Sequence, residues 1–462
     1  MRQDDIQLEP PLAIHADVTP AVEDRTYLGF VGAALLIALT GGFVIATALP
    51  LIETGALPGV ERTPRLIQAH GWAQVQGWAG LFVAGMSLRL IPRFAGRKPI
   101  PARLTLPILA ALVFSAAVRT VAQPFIDGRA GEVALVAAGL AGGAGMAAVA
   151  AVLAVTLRAG RGRGETWKAL AMFGAAWWAA WAVYTVVAAL RASGNGLLTP
   201  LPLDETITWI VMLAAIGNFV WAVQSRSVPV FFGRKVPPLR RTLAPALALN
   251  GGVLLIAISQ ASWGDETRQR VLGIGLAMAG IGTAALAPVA GSLWGKATRL
   301  RPRARSASRF VIAANWWAVV AGVLLIYAGS RSAWSGQYEA FPARDAARHA
   351  LGAGLITMLI PGMAQLIAPI FALGRAEGRP PGLLERLPFW LLLSAAILRV
   401  AAALSRGHGN NDLRLAAVSL AGVLAWLGLS LFAIMVLRAL RAEPRMKALL
   451  ADSYAAAKAR QP

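Results

Sequence analysis

Apolar residues fill long stretches of this chain, and short arginine-rich segments separate them. A helix needs about 20 apolar residues to cross a hydrocarbon core of about 30 Å. Twelve stretches approach or exceed that length, and we expect each to form a helix, because unpaired backbone groups cannot face lipid. The predicted spans are 27–50, 69–91, 105–123, 132–157, 168–190, 207–231, 242–261, 271–295, 309–329, 348–373, 386–404 and 414–437. The pattern predicts an all-α membrane protein with a polar leader (1–26), a twelve-helix domain (27–437) and a basic tail (438–462).

Three of the predicted helices end on related sequences. The phrase Arg89–Lys98 returns as Arg226–Lys235, and an eroded third copy runs from Pro369 to Arg375. The copies lie about 140 residues apart and end the second, sixth and tenth helices, which predicts three parallel pseudo-repeats of four helices each. Proline, glycine and basic residues end a helix and anchor it at the interface, so the phrase itself is interpreted as a helix end.

The net charge of +22 is informative through the positions of the basic residues along the chain. Lysine and arginine are concentrated in the termini and the even-numbered loops, so the positive-inside rule predicts that both termini are cytoplasmic. We therefore expect membrane lipids with anionic headgroups, and no nucleic acid, as partners of these charges. The chain has no cysteine, which excludes disulfides and thiolate-bound clusters.

Two of the four histidines are candidates for chemistry. His15 and His408 lie in polar segments, where solvation accounts for them. His70 and His349 precede the proline of their own phrases by nearly the same number of residues, which predicts similar depths at the outer ends of helices 2 and 10. The matching position of helix 6, near Ile207, is not histidine. Two imidazoles at one depth are natural axial ligands for the iron of a haem b; the alternative is that each caps a helix start.

Two arginines fall inside predicted spans, Arg119 in helix 3 and Arg399 in helix 11. An intramembrane arginine costs at least ~2.5–3.5 kcal/mol on insertion scales. No carboxylate lies deep within the predicted spans, so haem propionates are the predicted partners, since arginine pairs bidentately with carboxylates. Snorkelling toward the outer headgroups is the alternative. Further basic residues could also reach the propionates; these are Arg65, Arg344 and Arg348.

The segment His70–Trp78 resembles the NnrS family, whose pattern H-x-H-x-(Q/E)-x-x-G appears here as H-x-W-x-Q-x-x-G. The segment Arg348–Gly352 is similar to a later stretch of the same family. The resemblance implies a twelve-helix protein of the bacterial cytoplasmic membrane that binds haem and copper and acts in the response to nitric oxide. Trp72 stands at the family's second histidine position, which weakens the expectation of copper more than that of haem.

The predicted layout also resembles the main subunit of haem–copper oxidases, in which helices 2 and 10 supply the low-spin haem ligands. That resemblance implies a ligand role for His70 and His349, and the lack of histidine in helices 6 and 7 argues against a binuclear centre. The leading hypothesis is an NnrS-like haem protein, with a redox partner or a nitric-oxide-related small molecule as its partner. A secondary transporter and a non-catalytic anchor subunit are the alternatives, and enzymatic activity stays open.

Overall fold

A computed structural model describes residues 25–162, 164–261, 264–289, 302–367 and 382–459. These residues form twelve long helices and no β-strand. The second helix, α2, is continuous through Thr63–Trp72, Ala73–Gly80 and Leu81–Phe94. The others are α1 Tyr27–Glu53, α3 Ala102–Phe125, α4 Gly128–Ala159, α5 Thr166–Ser193, α6 Leu201–Phe231, α7 Leu239–Ile258, α8 Asp265–Val289, α9 Pro302–Ser335, α10 Phe341–Ile367, α11 Leu383–Leu404 and α12 Asn411–Ala459.

Eleven of the helices in the described ranges are long and apolar enough to cross a membrane, with mean hydropathies from 1.5 to 2.4. The chain is therefore a multi-pass membrane protein. The exception is α2, which carries the polar residues Gln68, Gln76, Ser87 and Arg89. All four side chains are buried. The lower hydropathy of α2 thus reflects polar groups that face protein rather than lipid.

Three helices occupy the centre of the molecule. The apolar window is 89% buried in α6 and 83% buried in α10, against 39–56% in the other candidate spans. In α2, burial is unbroken from Leu81 to Pro92. Trp78 Nε1 of α2 donates to Thr357 Oγ1 of α10 at 3.0 Å. The remaining helices pack around this trio, and sequence neighbours such as α4 and α5, α8 and α9, and α11 and α12 lie side by side.

Small residues bring α8 against its two neighbours. A Cβ added at Gly280 of α8 would lie 2.6 Å from the carbonyl oxygen of Gly322 in α9. A Cβ at Gly275 would lie 2.7 Å from the carbonyl oxygen of Gly252 in α7. Lipid tails are as apolar as the side chains of these helices, so the hydrophobic effect does not bring the helices together. Close backbone contact at small residues does so instead. These glycines set the spacing of the outer layer.

Each central helix contains a π-helical segment. These are Ala73–Gly80 in α2, Ile210–Ala215 in α6 and Ala350–Ile356 in α10, and α1 has a further one at Ala38–Gly42. The first residues of the three central segments precede Pro92, Pro229 and Pro369 by the same number of residues. A π segment inserts an extra residue into the helical turn and re-aims the side chains beside it, and such segments are frequent at functional sites.

All three central helices begin earlier than the apolar pattern predicts, and α2 begins at Thr63 rather than 69. α6 begins at Leu201 rather than 207, and α10 begins at Phe341 rather than 348, each with proline in its first turn. The early turns carry Asp204, Glu205 and Asp345 into the helices. The expectation that the arginines would find no carboxylate in the spans was therefore wrong, because polar first turns have no hydrophobic signal.

Two further predictions concern the end of the tenth helix and the tail. The third copy of the repeated phrase, Pro369 to Arg375, lies outside the described residues. α12 continues to Ala459 and so includes most of the predicted tail.

Candidate functional site

His70 lies in α2, just before its π segment, and leans toward α1. Its Nδ1 is 2.8 Å from the carbonyl oxygen of Gly42, at the end of the π segment of α1. A carbonyl oxygen can only accept, so Nδ1 is the protonated nitrogen and Nε2 of the neutral ring keeps its lone pair. Backbone contact at Nδ1 is the arrangement that fixes the tautomer and orientation of a metal-binding histidine.

His349 lies immediately before the π segment of α10 and has the same kind of contact. Its Nδ1 is 2.8 Å from the carbonyl oxygen of Asp345, one helical turn earlier. The same nitrogen is 3.3 Å from Oδ1 of the Asp345 carboxylate. The ring is thus held by its own helix, and the described hydrogen bonds leave Nε2 uninvolved. The side chain is 25% exposed, so part of the imidazole is accessible.

The two histidines lie within the range of electrostatic interaction with each other. His70 interacts electrostatically with His349 across the gap between α2 and α10. It also interacts with the Asp345–Arg399 ion pair. The repeat predicts that the two rings lie at a similar depth on helices 2 and 10, and this depth stays a prediction. Their role as iron ligands stays a prediction.

Arg399 lies beside this pair, and the carboxylate of Asp345 balances its charge. Its Nη2 is 2.9 Å from Oδ2 and 3.2 Å from Oδ1 of Asp345. The Arg399 and Asp345 side chains are 21% and 18% exposed, so the pair is largely withdrawn from solvent. Asp345 therefore links Arg399 of α11 to His349 of α10.

Arg119 belongs to a neighbouring polar cluster. Its guanidinium lies 3.6 Å over the Trp72 ring, and its Nη2 donates to Thr199 Oγ1 at 3.0 Å. Trp72 Nε1 donates to Asp204 Oδ1 at 3.3 Å, and Arg119 interacts electrostatically with the same carboxylate. Arg119 is 2% exposed, and its Nη1 has no hydrogen-bond partner. This cluster retains a buried donor without a partner.

A third cluster joins α6 to α10. Arg344 Nη1 donates to Glu205 Oε1 at 3.1 Å, and its Nη2 donates to Ser332 Oγ at 2.7 Å. Trp209 Nε1 donates to the same Glu205 oxygen at 3.2 Å. The Arg344 side chain is fully buried. Arg348 lies with its guanidinium 5.6 Å from the Trp209 ring, so it belongs to the rim of this cluster.

The three clusters share one pattern, which we call a ring–carboxylate–arginine triad. Trp72, Trp209 and His349 each immediately precede a π segment. Each ring contacts a carboxylate that is associated with an arginine. The triads are Trp72–Asp204–Arg119, Trp209–Glu205–Arg344 and His349–Asp345–Arg399. Only the triad of α10 has an imidazole, and His70 lies half a turn before its own triad.

Sequence reasoning missed the carboxylates of these triads. The available signal is proline, which favours the first turn of a helix because its missing N–H needs no partner there. Pro64, Pro202 and Pro342 occupy the first turns of the three central helices. A prediction that placed these prolines in first turns would have started helix 6 before Glu205 and helix 10 before Asp345. Arg65, a further predicted propionate partner, instead pairs with Asp127 at the surface.

Arg65 also affects the titration of that surface carboxylate. Its hydrogen bond and its charge lower the pKa of Asp127, which lies in the loop between α3 and α4.

Within the described ranges, no three or more histidine, cysteine, aspartate or glutamate side chains are grouped to hold a metal ion. A haem iron needs only two axial protein ligands, whereas a protein-bound copper ion needs a larger donor set. A scan against protein-family models finds no match for this chain. A search of curated proteins likewise finds none.

Proposed function

We propose that this chain is an NnrS-like integral membrane haem protein in which His70 and His349 are the axial ligands of a b-type haem. The observation that carries the proposal is the pair of imidazoles on α2 and α10. Each Nδ1 is held by a backbone carbonyl, and each Nε2 is left for iron. A bis-histidine haem exchanges one electron without an open coordination position.

The residues present fit such a group in charge as well as in ligands. Arg119 has an unpartnered guanidinium nitrogen in a buried position, which a propionate oxygen would satisfy. Arg399 would share its charge between Asp345 and a second propionate. Asp345 and the carbonyl of Gly42 hold the two rings, so the ligands are oriented by the protein before the haem arrives.

The proposed architecture has twelve spans in three repeats of four, with both termini in the cytoplasm. α2 supplies the twelfth span, since its polar side chains are buried against other helices. The equal placement of the three π segments and the three triads supports the repeat. The distribution of lysine and arginine supports the orientation in the bacterial cytoplasmic membrane.

The biological role follows from the NnrS resemblance and from a haem with two axial ligands. We assign the protein to the response to nitric oxide and nitrosative stress or to membrane electron transfer. Six-coordination favours electron transfer or redox sensing over activation of a bound gas. Copper belongs to the proposal only through the resemblance.

The visible spectrum of the purified protein tests the ligand assignment. Protein from haem-replete cells should show a Soret band and sharp α and β bands on reduction, and the His70→Ala/His349→Ala double variant should lose them. His408 lies in an exposed loop, so His408→Ala is the matched control and should keep the wild-type spectrum. A folded but colourless wild-type protein, or normal haem content in the double variant, would refute the assignment.

A further inference from the structure

The two candidate ligands have unequal partners at Nδ1. For His349, the carbonyl oxygen of Asp345 lies at 2.8 Å and the carboxylate Oδ1 of the same residue lies at 3.3 Å. The N–H of this imidazole therefore faces a neutral acceptor and an anionic one. For His70, the described hydrogen bond at Nδ1 goes to the carbonyl oxygen of Gly42, which is neutral. The carboxylate of Asp345 thus distinguishes the ligand of α10 from that of α2.

Arg399 shares this carboxylate with the imidazole. Its Nη2 is 3.2 Å from Oδ1 of Asp345, the oxygen that lies beside His349, and 2.9 Å from Oδ2. The guanidinium therefore balances part of the negative charge that Asp345 presents to the ring. The three side chains are between 18% and 25% exposed, so solvent and salt screen these charges less than they screen surface pairs.

The corresponding cluster of α6 shows which part of this arrangement is structural. Glu205 contacts both Trp209 and Arg344, although an indole cannot bind a metal through its nitrogen lone pair. Balancing a buried arginine therefore accounts for the carboxylate in both helices. Only in α10 is the ring an imidazole, so only there does the carboxylate act on a ring whose other nitrogen can bind a metal.

We propose that Asp345 is a positioning residue that lowers the reduction potential of the haem through His349, and that Arg399 limits this effect. The inference rests on the proposed function. A carboxylate at the N–H of a ligating imidazole makes the ring a stronger donor to the metal. The haem supplies one-electron exchange when bound, and its ferric form carries one more positive charge than its ferrous form. A stronger donor and a nearby anion both favour the ferric form, which lowers the potential.

Redox titration of the full-length protein in detergent, followed in the visible spectrum, tests the inference. Asp345→Asn keeps the shape of the side chain without its charge and should raise the potential. Partners of metal-bound histidines change metal affinity by about 10–100-fold. The equilibrium between oxidation states should therefore shift about tenfold, which is about 59 mV for one electron. Arg399→Gln leaves the carboxylate charge beside His349 unbalanced and should lower the potential. Asp127→Asn is the matched control, because Asp127 is 65% exposed and pairs with Arg65, and its potential should equal that of the wild type.

Electron paramagnetic resonance of the ferric protein distinguishes an effect through the ligand from a charge that acts at a distance. The g values depend on the donor strength of the axial imidazoles, so they should shift in Asp345→Asn and Arg399→Gln and stay unchanged in Asp127→Asn. Unchanged g values, unchanged potentials, or potential shifts of the same sign in haem-containing variants would overturn the inference and leave the haem assignment intact. A colourless wild-type protein would instead refute both. If one variant does not fold, the sign of the shift in the other decides.

Discussion

The N-terminal ends of α6 and α10 are built alike and differ in one ring. In α6, Trp209 contacts Glu205 four residues earlier, and in α10, His349 contacts Asp345 four residues earlier. Each carboxylate then pairs with an arginine from another helix. The indole can only donate a hydrogen bond, whereas the imidazole keeps a second nitrogen that can bind a metal.

The difference separates what the two helix ends have in common from what a single residue adds. A carboxylate and an arginine lie beside the start of the π segment in all three central helices, whatever ring precedes that segment. Replacement of the indole by an imidazole at that position gives α10 a candidate ligand without any change in the scaffold. In α2 the ring of the triad is Trp72, and the candidate ligand is a second residue. This is His70, which lies half a turn earlier and contacts α1.

Glu205→Gln should have the largest effect on stability. It removes the charge that neutralises Arg344, whose side chain has no exposure to solvent. Breaking a buried ion pair from one side costs about 3–5 kcal/mol, since the remaining charge is left without a partner. The free energy of unfolding in detergent, followed by circular dichroism, measures the loss.

Glu339→Gln is the matched control for this experiment. Glu339 pairs with Arg331, whose side chain is 59% exposed. Surface pairs contribute about 0–1 kcal/mol, so this variant should unfold nearly as the wild type does. Equal losses of unfolding free energy in the two variants would contradict the prediction that burial strengthens the Arg344–Glu205 pair.

Asp345→Asn should follow, with a loss of about 2–3 kcal/mol. Arg399 loses its partner, but both side chains have about a fifth of their surface exposed, so water replaces part of the interaction. Asp127→Asn is the control, because the Asp127 side chain is 65% exposed and no measurable change is expected. A loss larger than that of Glu205→Gln would contradict the order that burial predicts.

The sequence was sufficient for the helical class and insufficient for the surroundings of the two candidate histidines. Hydropathy finds eleven spans because lipid-facing residues carry a strong signal, and the phrase at Pro92 and Pro229 aligns the helices. The predicted helix starts were too late because α6 and α10 begin with polar segments, which contain Glu205 and Asp345. The π segments had no local signal either, since their spacing depends on how the central helices pack.

The contacts of Arg119 show the same limit. Its location inside a span follows from the sequence, but its partner Thr199 lies in the connection between α5 and α6. Such contacts depend on the arrangement of helices that are distant in the chain. Periodicity and composition report which face of one helix is apolar, and they carry no information about which loop reaches it.

Asp204→Asn tests the triad of α2 and should cost less, about 1–2 kcal/mol. Asp204 accepts a hydrogen bond from Trp72 at 3.3 Å but makes no ion-pair contact of the kind that Glu205 makes with Arg344. Arg119 keeps its bond to Thr199 and its position over the indole. Unfolding in detergent measures the change, and a loss equal to that of Glu205→Gln would mean that Arg119 depends on Asp204 as strongly as Arg344 depends on Glu205.

Trp209→Phe and His349→Phe should have the smallest and most similar effects on stability, about 1 kcal/mol each. Both variants remove a ring N–H that contacts a carboxylate and keep an aromatic ring before the π segment. They should differ in the visible spectrum, because only the imidazole has a nitrogen for iron. Trp209→Phe should keep the full haem complement, and His349→Phe should lose the low-spin bands. Loss of haem in both variants would contradict this prediction. Haem binding would then depend on the structure around Trp209 as well as on the imidazole of His349.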